Sequence, residues 1–423
     1  MAGTQALERA SLGEKQFVAM ISMIMALGAL GIDLMLPAFP VIREHFGLAE
    51  GSTAVAGIVT AYFFGLAFGQ LFYGPIADRF GRKPALYGGL AIYAFGALSS
   101  ALVPSIGLMY VTRFIWGAGA AGGRVIAIAV VRDSFSGERM ARTMSMVMAV
   151  FVLVPVVAPT VGAAVIAVAP WQWVFGVCVL FSLTLAVWIV RLPETLREEH
   201  RRPLQFTPVL RGARQVLTHR QTLGYGLVTT ALFAPFSSYL ASSEIIFSDV
   251  FGLEDQFPFI FGGIAAVMGA AMVASAMVVE RVGTKRLAHA ALTAYVVLGA
   301  GVLWMVRAAD GVPGFWPFVV GLTALLVCHA LLIPSANTLA MDHMGKLAGT
   351  AAAVLGTISM AGGAVLGSIT DRAFDGTANP LILSFFGYGV VALALAKWAE
   401  GAKTAPVEGP RDAAALLQEL PPA

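Results

Sequence analysis

The amino-acid sequence predicts an all-α membrane protein with twelve transmembrane helices in two six-helix halves. Three observations carry that expectation. Of 423 residues, 58% are hydrophobic and 12% charged, and the mean hydropathy is +0.81; soluble domains carry about 25% charged residues, because their surfaces face water. Twelve apolar stretches, each near the ~20 residues that a bilayer core demands, succeed one another along the chain. Lys and Arg gather in alternate connecting segments, the asymmetry that orients a polytopic protein.

The stretches span roughly 17–42, 53–76, 84–103, 106–131, 143–168, 171–191, 221–247, 257–279, 287–307, 315–341, 347–370 and 378–397. The run from Thr143 to Val190 has no charge and is too long for one crossing. Pro170 with Trp171, Gln172 and Trp173 marks its turn, with tryptophans at the interface. Pro104-Ser105 separates the third span from the fourth. The first run leads into Asp33 rather than a small-residue cleavage site, so no cleavable signal is expected. The two cysteines, Cys178 and Cys328, lie far apart in apolar segments, which suits packing rather than a disulfide or a metal site.

With the N-terminus placed in the cytoplasm, twenty-two of the 27 Lys and Arg fall on that side. Arg43, Arg307 and Arg372 fall outside, and Arg113 and Arg124 lie within the fourth span. An odd number of spans would destroy this pattern, so both termini are expected inside. The expected organisation is an N-terminal tail (1–16), a first bundle (17–191), a basic linker (192–220), a second bundle (221–399) and a poorly ordered Pro- and Ala-rich tail (400–423). Six spans on each side of a basic linker is the layout of two repeats around a central substrate path. The net charge of +3 gives no reason to expect nucleic acid; the bilayer is the expected partner.

Between the second and third spans stands Gly74-Pro75-Ile76-Ala77-Asp78-Arg79-Phe80-Gly81-Arg82-Lys83-Pro84. Gly74 would allow close helix packing, Gly81 a tight turn, and Asp78 could sit near a helix N-terminus or pair with basic groups. The segment resembles the signature loop of the major facilitator superfamily, G-x-x-A-D-R-x-G-R-(K/R). A degenerate copy, Glu280-Arg281-Val282-Gly283-Thr284-Lys285-Arg286, occupies the matching place in the second half and keeps only the basic character. Further segments resemble that superfamily's twelve-span drug:proton antiporters: Asp33 to Pro40, Arg113 to Gly119 with Arg132-Asp133 after it, Ala158-Pro159-Thr160-Val161-Gly162-Ala163, and Leu192-Pro193-Glu194-Thr195-Leu196. Together with Asp342-His343 they resemble the bicyclomycin/chloramphenicol-resistance (Bcr/CflA) branch. That family carries glutamine where Trp116 stands, and glycines where Ala158 and Ala163 stand.

The resemblance implies the major facilitator fold: two pseudo-symmetric six-helix bundles that rock to open a central cavity to each side in turn. It implies proton-driven export of small amphipathic compounds or antibiotics across a bacterial inner membrane, by a monomer. Gly74, Asp78, Arg79, Gly81, Arg82, Lys83 and Arg132 would latch the cytoplasmic ends, and Pro159 and Gly162 would form an antiporter-like motif on helix 5. No cofactor is expected beyond the proton gradient, and no metal. Two alternatives stay open: a proton symporter or facilitator that imports a metabolite, and a non-transporting sensor. No nucleophile–base spacing or nucleotide motif supports an enzyme. Gly117, Gly119 and Gly122 match G-x-G-x-x-G, but they lie in a membrane helix with no strand before them, where small residues serve helix packing. Gly362, Gly363 and Gly367 on the eleventh span fit the same use.

An ionisable side chain within a span costs roughly 2.5–3.5 kcal/mol on insertion scales and persists where something uses it. Asp33 lies roughly 24 Å along the first span, in its outer part, and Arg113 roughly 10–12 Å in from the outer face on the fourth. The similar depths would let the two interact across a cavity, where burial and an adjacent arginine pull a carboxyl's proton affinity in opposite directions. The alternative for Asp33 is an interfacial helix end, and for Arg113 a structural role. Trp116, Arg124, His329 and Asn337 are further cavity candidates. Snorkelling to the headgroups would also explain Arg124, and helix–helix hydrogen bonding His329 and Asn337. Glu244, near the outer end of the seventh span, reads as interfacial.

Overall fold

A computed structural model describes residues 13–49, 51–201 and 206–401. Twelve membrane helices follow one another: α1 (Glu14–His45), α2 (Ala56–Phe80), α3 (Arg82–Ser100), α4 (Ile106–Ser134), α5 (Gly137–Val168), α6 (Gln172–Ile189), α7 (Arg220–Ile245), α8 (Phe257–Val282), α9 (Thr284–Ala308), α10 (Phe315–Met341), α11 (Ala348–Arg372) and α12 (Asn379–Glu400). Ten of these are long and apolar enough on their own to cross a bilayer. α3 and α7 complete the two bundles, α3 packed on α4 and α6, α7 on α10, α11 and α12. The tails at 1–12 and 402–423, including the stretch expected to be poorly ordered, lie outside the described residues.

The turns form where the sequence punctuates. α5 ends at Val168, before Pro170, and α6 begins after Trp171. The Ser105 hydroxyl accepts from the Leu108 amide and starts α4. The linker carries an amphipathic helix, Phe206–Thr218, not foreseen in the polar stretch, which lies against α11 and α7.

α1 differs most from expectation. It runs to His45, three residues beyond the expected end, and is broken after Asp33, where the expected stretch is continuous. The α-helix ends at Asp33, a single 3₁₀ turn covers Leu36–Ala38, and the helix resumes at Phe39. Proline has no N–H, so Pro37 cannot bond the Asp33 carbonyl one turn back, and Met35 and Ala38 instead donate to the tighter acceptors Ile32 and Met35. Asp33 therefore has twelve residues of the span beyond it, roughly 18 Å. It stands at the break itself.

Small residues bring the helices together. A side chain on Gly65 would overlap the Phe114 carbonyl, and one on Gly117 the Tyr62 carbonyl, so α2 and α4 touch backbone to backbone. Gly119 meets Tyr93 of α3, and Gly122 the Tyr73 ring. In the second half Gly362, Gly363 and Gly367 meet Thr230, Phe233 and the Ala234–Ser238 backbone of α7. The bundles meet along two seams. Thr357 of α11 donates to the Ala67 carbonyl of α2 at 3.0 Å, and Gly262 and Gly269 of α8 face Val156 and Val152 of α5.

Candidate functional site

The loop between α2 and α3 is built around Arg82. Its Nη1 donates to Asp78 at 2.6 Å and its Nε to Asp133, at the end of α4, at 2.8 Å. One planar guanidinium thus holds two helix ends, a geometry suited to its fork of donors. Glu194, beyond α6, accepts from the backbone amides of Arg82 and Lys83 at 2.9 and 3.0 Å. It caps the start of α3, where an anion is favoured. Gly81 has φ +105° and places its α-carbon against that carboxylate, where a side chain would fit neither the dihedral nor the space. The Lys83 ammonium donates to the Val190 carbonyl at 2.8 Å.

Three members of the motif behave differently from expectation. Gly74 faces open space and makes no close helix contact. Arg79 and Arg132 are exposed and form no ion pair among the described residues; the contact is made by Asp133, beside Arg132. In the second half, Gly283 repeats the turn with φ +85°. Glu400, at the end of α12, takes the place of Glu194. It accepts from Tyr225 at 2.7 Å and lies 2.7 Å from His289 and 3.4 Å from Lys285.

At the break in α1, Asp33 is buried at 3% exposure and makes no hydrogen bond or ion pair among the described residues. It does not meet Arg113. Tyr62 of α2 lies within the field of both groups, and the Arg113 guanidinium stacks 4.4 Å from the Tyr62 ring and 4.6 Å from the Trp116 ring. Arg113 is fully buried, its Nε donates to the Ile58 carbonyl at 3.4 Å, and both terminal nitrogens are unpartnered. Face-on aromatic contact supplies part of what a counter-ion would. From the other bundle, Tyr239 of α7 also comes within electrostatic reach of Asp33; its hydroxyl is buried and unpartnered, and its ring stacks on Phe261 at 5.6 Å. Asp33 is thus an unneutralised carboxyl at a helix break, between two bundles, with a phenol from each.

Gly162 packs against the carbonyl of Leu34, the residue after Asp33, and leaves no room for a methyl group. Pro159, one turn earlier on α5, is buried. The helix-5 motif is therefore the seat of the α1 break. Trp116 is not in a cavity: it is 1% exposed, enclosed by Tyr62, Tyr93 and Phe175. His329 is buried and stacks on Phe236 of α7 at 4.7 Å, with its Nδ1 unpartnered, so ring stacking replaces the expected hydrogen bond. Asn337 is exposed without a hydrogen bond among the described residues. Arg124 is exposed and makes no hydrogen bond or ion pair among the described residues.

At the end opposite the basic loops, Arg43 of α1 and Glu244 of α7 form an ion pair of 3.1 Å across the two bundles, with side chains 9% and 2% exposed. Glu244 is thus a buried partner, not an interfacial residue. The pair holds that end closed. Removing one partner of a buried pair costs about 3–5 kcal/mol, so Glu244→Gln is expected to destabilise the closed form. The Arg43→Glu/Glu244→Arg exchange should recover most of the thermal stability and transport lost in either single variant, measured on purified protein and in cells.

Sequence reasoning did not find Tyr62, Tyr239 or the Arg43–Glu244 pair, and it names Asp133 without a role. The signal for the pair was two opposite charges at matching ends of the first helix of each half.

The sequence profile of the Major Facilitator Superfamily matches residues 21–368. The chain is 29% identical over 379 residues to a bicyclomycin resistance protein homolog of Haemophilus influenzae, covering 89% of this chain and 94% of that protein. It is 25% identical over 373 residues to the multidrug resistance protein MdtL of Escherichia fergusonii, covering 86% and 90%. Among solved structures it resembles a partially occluded, inward-open form of the xylose transporter XylE from E. coli, with a TM-score of 0.69 at 13% identity, covering 92% of this chain and 98% of that one. The signature loop between α2 and α3, twelve helices in two bundles, and a family match over most of the chain together place this protein in the Major Facilitator Superfamily, a multi-pass membrane transporter and not an enzyme.

Proposed function

We propose that the protein is a proton-coupled exporter of small amphipathic compounds, antibiotics among them, working by alternating access. The observation that carries this reading is Asp33: a buried carboxyl without a countercharge, at the break of α1, between the bundles. Such a group can take a proton from one side and release it to the other as the bundles rock, and intramembrane carboxyls mark proton relays. The drug-resistance names of the relatives support export of drugs. With the basic loops in the cytoplasm, both termini would lie on the cytoplasmic side of a bacterial inner membrane. The Arg43–Glu244 pair then closes the outer end, and the Asp78–Arg82–Asp133 and Glu194 contacts stiffen the inner end of the first bundle as the latch.

The test is chloramphenicol accumulation in efflux-deficient bacteria expressing the protein, with and without a proton uncoupler. Lower accumulation that the uncoupler abolishes supports the reading. Unchanged accumulation across a panel of amphipathic antibiotics would contradict it and favour import of a metabolite.

A further inference from the structure

α5 and α11 are the fifth helices of their halves, and they cross α1 and α7, the first helices, in the same way. Gly162 of α5 seats on the backbone of α1 at Leu34. Gly367 of α11 seats on the backbone of α7, where the Ala234 carbonyl, the Ser238 amide and the Ser237 hydroxyl leave no room for a side chain. In the first half, this crossing holds Asp33. In the second half, α7 offers serines there, and the carboxyl comes from the opposite helix. Asp371, one turn beyond Gly367, accepts a hydrogen bond from the Ser238 hydroxyl at 2.5 Å. It is 5% exposed and makes no ion pair among the described residues.

The groups around Asp371 do not neutralise it. On α7, the Ser242 hydroxyl is within its reach and also donates to the Ser238 carbonyl at 2.7 Å. Glu244, further along, is held by Arg43, and Tyr239 turns its ring to Phe261. On α12, Tyr388 donates to the Leu366 carbonyl. On α10, His329 stacks on Phe236. Arg372, the next residue, is exposed and acts on Tyr110 of α4.

We propose that Asp371 is a second proton-carrying carboxyl, the pseudo-symmetric counterpart of Asp33 in the second bundle, so that each bundle brings its own proton site to the transport cycle. Serine hydroxyls suit this use: they donate to the charged carboxylate and accept from the protonated acid by rotation alone. The proposal deepens the proton-coupled reading and rests on it.

The test is infrared difference spectroscopy of the full-length protein in lipid vesicles, titrated from mildly acid to mildly alkaline pH without substrate. Among its titrating buried-carboxyl bands, wild type should show one that is lost in Asp33→Asn and a different one that is lost in Asp371→Asn. Ser238→Ala should shift the second band without removing it. The asparagine keeps an oxygen to accept from Ser238, so a purely structural staple between α7 and α11 would survive Asp371→Asn with its melting temperature and an unchanged spectrum, and that result overturns the proposal. An Asp33→Asn spectrum identical to wild type would instead remove Asp33 from the reading and leave the second site standing.

Discussion

Asp33→Asn is expected to reduce uphill drug efflux to the level of cells carrying no transporter, while the protein reaches the membrane in normal amount. The amide matches the carboxyl in size and cannot take up or release a proton. Because Asp33 makes no hydrogen bond or ion pair that its loss would orphan, the fold should tolerate the change, and the purified variant should melt close to wild type. Drug exchange down its own gradient needs no proton and should persist. Accumulation assays, counterflow in vesicles and immunoblots of membrane fractions read these three quantities separately. A variant that pumps as well as wild type would show that the proton travels elsewhere.

Arg82→Ala should have a large effect on stability. Its guanidinium is 5% exposed and bridges two carboxylates at 2.6 and 2.8 Å. Removing it leaves Asp78 and Asp133 facing each other without a cation. Full burial would put the loss at about 3–5 kcal/mol; Asp78 is 39% exposed, and water screens that arm, so about 3 kcal/mol is expected. Arg82→Lys should recover little, since one ammonium on a flexible stem cannot reproduce the fork. The checks are the melting temperature in detergent and efflux at matched expression. A lysine variant indistinguishable from wild type would contradict the bridging role.

Most of the fold is legible in the sequence because a bilayer reduces the problem to counting. Apolar runs end where Lys, Arg, Pro and Trp gather, and even α3 and α7, the least apolar of the twelve, are fixed by the basic segments around them. The motif loop is legible because its residues are local: Asp78 and Arg82 are one helical turn apart. Glu194 is quoted in the resemblance, but its capping role joins amides more than a hundred residues away, which spacing cannot reveal. Arg43 and Glu244 are hidden for the same reason. The break after Asp33 is not legible, because the apolar run 17–42 continues through Pro37 and Pro40, and only the backbone shows the single 3₁₀ turn at Leu36–Ala38. The resemblance marks Trp116 by the glutamine it replaces and the apolar run marks His329 by its ring nitrogens, whereas the rings decide where both sit. Asp371 escapes because the apolar run of the eleventh span ends at residue 370, one position short of it.

The most direct test of proton-driven export is transport by purified protein in vesicles under an imposed pH gradient, with chloramphenicol or the compound that the cellular panel selects. Exchange predicts that an acid lumen, as protons leave, drives the drug inward above its external concentration, and that Asp33→Asn abolishes this accumulation. Accumulation only when the lumen is alkaline, so that drug and proton enter together, would contradict export and make the protein a symporter.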